Sequence, residues 1–100
     1  MEGHVVVSEL AVDEQGCETL EDAFQHRLGE VDGYPGFRKL EVWRDPRRTG
    51  RYLMVSWWDS PDAFRSYMRS DEHRRSHDRI PNDHVRPRAA GVDRFDVVAR

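Results

Sequence analysis

Two side chains with chemical potential, Tyr67 and His77, stand ten positions apart in a segment with helical character. An imidazole facing a cavity can ligate iron or serve as a general base near neutral pH. Flanked by Arg74, Arg75 and Arg79, the same histidine also fits a solvated helix face. His73 precedes it by one helical turn, a spacing that can hold a metal, but no HExxH pattern or carboxylate ligand accompanies the pair, which argues against a dedicated zinc site. His84 falls in a loop that can close over a pocket. Tyr67 is either core filler or an aromatic surface whose hydroxyl can bond an oxygen species or a phenol. Ser8 is a small polar residue in an otherwise apolar strand, where a buried hydroxyl needs a partner. Arg74, Arg75, Arg79, Arg86 and Arg88 form a local basic run, read either as a solvated face or as a clamp for a carboxylate. Trp43, Trp57 and Trp58 are packing groups first; a tryptophan at such a position can also wall an aromatic pocket.

These residues need a scaffold, and the hydropathy pattern supplies one. His4–Val12 reads as a strand with Val5, Val7, Glu9 and Ala11 on one face and Val6, Ser8, Leu10 and Val12 on the other. Asp13–Glu18, which contains Cys17, reads as a turn, with Thr19 capping a helix whose stripe is Leu20, Phe24, Leu28 and Val31. Gly33-Tyr34-Pro35-Gly36 forces a turn. Phe37–Arg44 and Arg51–Trp58 alternate as two strands joined by a polar hairpin. Ser60 is a good N-cap and Pro61 fits the first turn of a helix packed through Ala63, Phe64, Tyr67 and Met68. A break near Ser70-Asp71 restarts that helix, which ends before Pro81. Ile80–Gly91 reads as a loop and Val92–Val98 as a last strand.

The order β-α-β-β-α-β is the ferredoxin-like arrangement, an α+β fold with an antiparallel sheet and helices on one face. The uncovered sheet face carries too many large apolar groups to stay wet, so the expectation is a homodimer whose sheets close into a barrel-like core. One hundred residues, 37% of them hydrophobic, support one domain over residues 1–100. A formal charge of -3 with mixed signs does not make a nucleic-acid-binding surface, and Cys17 as the only cysteine excludes an intrachain disulfide and a thiolate metal cluster. No apolar run reaches the roughly 18 residues of a membrane span and no secretory signal pattern opens the chain, so the expected location is cytoplasmic.

Gly33-Tyr34-Pro35-Gly36-Phe37, the strand Tyr52–Trp58 with Asp59-Ser60-Pro61-Asp62-Ala63-Phe64, and Ser70 through His77 together resemble the antibiotic biosynthesis monooxygenase family of the dimeric alpha-beta barrel superfamily. Within it the sequence looks most like the IsdG/HmoA-type haem-degrading monooxygenases. The resemblance implies an oxidoreductase that uses dioxygen, with His77 at the axial haem-ligand position. It puts Tyr67 where that branch has a tryptophan that ruffles the porphyrin. Ser8 stands where the branch has an asparagine that bonds the distal ligand. Arg74 and Trp58 join His77 in the expected cofactor-binding set. Tyrosine distorts a porphyrin less than tryptophan, and serine lacks the amide donor, so haem binding can survive where efficient breakdown does not. Other family members oxidise phenolic intermediates of natural products without a cofactor, which leaves an aromatic small molecule as the alternative substrate. A non-catalytic haem- or small-molecule-binding dimer is the third reading.

Overall fold

A computed structural model describes residues 3–26, 31–71, 73 and 88–100. The elements run β1 (His4–Ala11), α1 (Cys17–Gln25), β2 (Phe37–Arg44), β3 (Arg51–Trp58), α2 (Pro61–Met68) and β4 (Arg88–Asp96). The strands form one antiparallel sheet in the order β2-β3-β1-β4. This is the ferredoxin-like topology, with β1 and β3 central and β2 and β4 at the edges.

Strands β2 and β3 coincide with the alternating segments of the sequence. Helix α2 starts as its local chemistry dictates: the Ser60 hydroxyl accepts the Ala63 N–H at 3.2 Å, and Pro61 occupies the first turn, where a missing N–H costs nothing. The helix closes at Arg69, and helical backbone resumes at Asp71 and His73. Ser70 makes that break: its hydroxyl donates to the Tyr67 carbonyl at 2.5 Å and accepts the His73 N–H at 3.1 Å, ending one helix and capping the next.

Four local expectations are corrected. A 3-10 turn over Glu14–Gly16 runs straight into α1, so Gly16 takes the cap position and Cys17 opens the helix, with Thr19 inside its first turn. Helix α1 ends at Gln25 with His26 as its C-cap, and Val31 lies buried in a turn rather than on the helix. Met68 is 45% exposed and does not join the packing face of α2. The last strand begins at Arg88 and ends at Asp96, because pairing with β1 carries through Gly91 with Ala90 as the extra residue of a bulge. An edge strand tolerates such glycines, since only one side of its ladder needs partners.

Residues paired across the sheet share a face, so the register writes the helix-facing surface as rows. The first is Asp96–His4–Trp58–Phe37, the second Arg94–Val6–Ser56–Leu40, the third Val92–Ser8–Met54–Val42, and the fourth Leu10–Tyr52–Arg44. The first two rows support a core of Val6, Val31, Trp58 and Tyr67, packed against Tyr34, Phe37, Ala63 and Phe64. The fourth supports a second core of Val12, Leu20 and Tyr52, packed against Leu10, Phe24 and Val42. The opposite face carries the row Phe95–Val5–Trp57 and, beside it, Val7, Val55, Leu53 and Trp43. Phe95 is 54% and Trp43 47% exposed there, and no described element covers them. No helix among the described residues is long and apolar enough to cross a membrane.

Candidate functional site

The two cores do not meet. Between them the third row leaves Ser8 and Met54 half-buried and Val92 56% exposed, and these three belong to neither cluster. The result is a strip of sheet that the two cores formed by the described residues leave out. Its floor is mostly apolar, with one hydroxyl, that of Ser8, in the centre. A flat hydrophobic molecule with a polar reacting centre fits such a surface.

One wall is aromatic and rigid. Trp58 is 2% exposed and donates its indole N–H to the Ser56 hydroxyl at 2.8 Å. Phe37, Phe64 and Tyr67 surround it, with ring centroids 5.3, 5.6 and 5.3 Å from its own. Tyr67 is 7% exposed and is also held edge-on by Tyr34 and His73, each at 5.2 Å. Tyr34 in turn shares a 2.7 Å hydrogen bond with Ser66. Offset and edge-to-face contacts of this kind fix ring orientation. Trp58 therefore backs the wall from within, and Tyr67 stands between it and the segment that restarts after Ser70.

The sequence-predicted residues are placed as follows. Tyr67 and Trp58 are brought into contact. Ser8 lies two rows from Trp58, with Val6, part of the Trp58–Tyr67 core, in the row between. His77 and Arg74 lie outside the described residues, as do Arg75, Arg79, His84 and Arg86. His73 is described, and its ring packs edge-on against Tyr67. Among the described residues no cluster of three or more histidine, cysteine or carboxylate side chains could hold a metal ion.

Sequence reasoning left His4 and Arg94 unassigned. His4 is 5% exposed; its Nδ1 is 2.9 Å from Asp96 Oδ1, and Arg94 Nε donates to its Nε2 at 3.1 Å. A guanidinium has no acceptor, so Nε2 carries no proton and Nδ1–H is donated to Asp96. The ring is thus held at both nitrogens. The signal that could have found this group is the period-2 spacing of Arg94 and Asp96, which puts both on the face that His4 occupies once β1 and β4 are paired.

The profile of the family described as antibiotic biosynthesis monooxygenase matches residues 3–79. A staphylobilin-producing haem oxygenase of Staphylococcus saprophyticus is 29% identical over 77 residues, 75% of this chain and 73% of that protein. A mycobilin-producing haem oxygenase of Mycobacterium tuberculosis is 35% identical over 48 residues, so that alignment spans about half of each, 48% of this chain and 46% of that protein. The structure of the Mycobacterium tuberculosis haem degrader MhuD, with two haems bound in its active site, superimposes with a TM-score of 0.76 at 25% identity, covering 97% of both chains.

Proposed function

The chain belongs to the antibiotic biosynthesis monooxygenase family, and on that premise we propose that it binds haem on the uncovered strip of the helix-facing sheet and oxidises it with dioxygen. The observation that carries this reading is the strip of Ser8, Met54 and Val92 that belongs to neither core of the described residues, with the Trp58–Tyr67 pair on one side of it. The similarity to proteins named as haem oxygenases and to a haem degrader supports the choice of ligand.

The residues fit the group. A porphyrin needs apolar contact over its faces and a polar partner only at its centre and its carboxylates, which is the distribution that Met54, Val92, Phe64 and Ser8 offer. His77, beyond Ser70 in the sequence, would hold the haem iron, and Arg74 would pair with a carboxylate. Bound haem supplies an iron that takes up dioxygen and a conjugated ring that can be oxidised. Ser8 offers one hydroxyl on the sheet side of the cleft, able to orient a polar ligand. Tyr67, held rigid against Trp58, would offer a fixed aromatic surface to the bound ring. With a tyrosine and a serine in these places, binding is expected to be secure and turnover slow. The row Phe95–Val5–Trp57, with Phe95 and the neighbouring Trp43 exposed, supports a homodimer joined through the opposite face.

The test is titration of the purified protein with hemin. A Soret shift that His77→Ala abolishes supports axial ligation, and bleaching with a reductant under air supports degradation. A wild type that gives no shift sinks the haem reading, and oxidation of a phenolic small molecule without cofactor becomes the reading to test.

A further inference from the structure

We propose that Arg94 is the residue that reads a carboxylate of the bound ligand, and that His4 and Asp96 exist to hold it in place. The proposal rests on the haem reading for the identity of that carboxylate, a propionate, and adds a specificity-determining residue on β4.

Arg94 stands in the second row of the helix-facing surface, beside Val6, and one row from Ser8 and Val92. It therefore borders the open strip. Its side chain is held on two sides. The Nε edge is tied to His4 by the 3.1 Å hydrogen bond, and the guanidinium carbon lies 5.2 Å from the centre of the Phe64 ring on α2. Both anchors are themselves fixed. His4 is buried and locked by Asp96, and Phe64 packs against the Trp58–Tyr67 core. Among the described residues Arg94 makes its contacts through Nε and the π face. Neither contact uses the two terminal nitrogens, the pair that matches the two oxygens of a carboxylate.

A free surface arginine loses side-chain freedom on binding an anion, which offsets much of what the contact contributes. Here the fixed tautomer of His4 has already oriented the fork, so less is lost when a carboxylate arrives. Asp96 also matters through its charge. As the acceptor for Nδ1–H it keeps Nε2 free to accept from Arg94, so hydrogen bonds are donated in one direction, from Arg94 to His4 to Asp96. Arg94 is the only one of the three that would touch the ligand; His4 and Asp96 are positioning residues.

The experiment compares iron protoporphyrin with its dimethyl ester, which keeps the ring and removes both carboxylates. Binding to the full chain is followed by quenching of its tryptophan fluorescence. Wild type is expected to bind the acid about tenfold or more tightly than the ester, the worth of a charge-assisted pair. Arg94→Gln should weaken binding of the acid several-fold toward the level of the ester and leave the ester unchanged. Arg94→Lys, which keeps the charge but not the fork, should recover part of the difference, and it carries the test if Arg94→Gln does not fold. His4→Gln should give an intermediate loss for the acid alone. If Arg94→Gln weakens acid and ester alike, the residue is merely structural and the proposal is overturned. If wild type binds haem and Arg94→Gln binds the acid equally well, the proposal also fails, while the haem reading stands. Failure of wild type to bind either porphyrin overturns both.

Discussion

Gly36 is pressed against Ala63: a Cβ on Gly36 would lie 2.5 Å from the Ala63 Cβ, and its φ of +87° is one that side chains rarely adopt. Its carbonyl also accepts the Asp59 N–H at 2.7 Å. Two of the sequence blocks that mark the family, Gly33–Phe37 and Asp59–Phe64, are therefore two halves of one joint, the turn before β2 docked on the start of α2. Close approach and positive φ both require glycine there. Gly36→Ala should destabilise the fold by about 2–4 kcal/mol, from the left-handed backbone and the overlap together. Gly33 has nothing within 4 Å of such a Cβ, so Gly33→Ala should stay within about 0.5 kcal/mol. Urea midpoints at constant m-value measure both. Equal effects at the two positions would refute the joint.

That joint shows why parts of this fold are legible in sequence. Ser60-Pro61 carries its own capping chemistry, and β2 and β3 carry their alternation, so neither needs the rest of the chain to be recognised. The face of Ser8 was legible for the same reason. The start of β4 was not, since Gly91 signals a break locally and only its pairing with Glu9 of β1 overrides the signal. Thr19 misled because a 3-10 turn, which leaves little trace in hydropathy, delivers Gly16 to the cap instead. His4 and Arg94 touch across 90 positions, beyond the reach of any local pattern.

Tyr52 donates to Glu21 Oε2 at 2.5 Å, and Arg44 donates to both oxygens of that carboxylate at 3.0 and 3.1 Å. The hydrogen bond from Tyr52, followed by that from Arg44, holds the Glu21 carboxyl below its ordinary range. Burial first, and then the bond to Glu21, pushes the Tyr52 phenol up. A lowered carboxyl stabilises the fold above its unfolded pKa of about 4.3 and loses that contribution as pH falls through the lower folded value. A raised phenol contributes fully below about pH 10 and loses its share as pH rises beyond that. Tyr52→Phe should cost about 1–2 kcal/mol at pH 7, since Arg44 still serves the carboxylate. It should also flatten the acid limb below about pH 4. Urea melts at pH 7 and pH 3 test this; an unchanged difference between the two pH values would disprove the coupling.

Ser8 lies half-buried on the strip and belongs to neither core. Removing its hydroxyl should therefore leave the fold nearly untouched, with Ser8→Ala within about 0.5 kcal/mol of wild type. Its effect belongs to the proposed chemistry. Ser8→Asn adds an amide donor with longer reach and should speed reductant-driven haem loss, on the order of tenfold if one hydrogen bond is gained. Bleaching rates with ascorbate under air, at saturating haem, give the comparison. A rate that is the same for Ala, Ser and Asn would remove Ser8 from the site.

Phe95, Val5 and Trp57 form one row on the sheet face away from the helices, and Trp43 packs edge-on against Trp57 at 6.5 Å. Lys39 covers the Trp57 ring at 4.3 Å, but no described element covers Phe95 or Trp43. Exposed aromatics in a continuous band are what a partner sheet would bury. Light scattering should report about 24 kDa, twice the 11.8 kDa of one chain. Phe95→Arg puts an unpaired charge into that band without disturbing the cores under the helices, so it should shift the protein toward one chain. If folding and association are linked, the wild-type melting temperature should rise with protein concentration and that of Phe95→Arg should not. A wild type that stays at 11.8 kDa across the accessible concentrations would rule out the sheet-to-sheet dimer and leave the band for another partner.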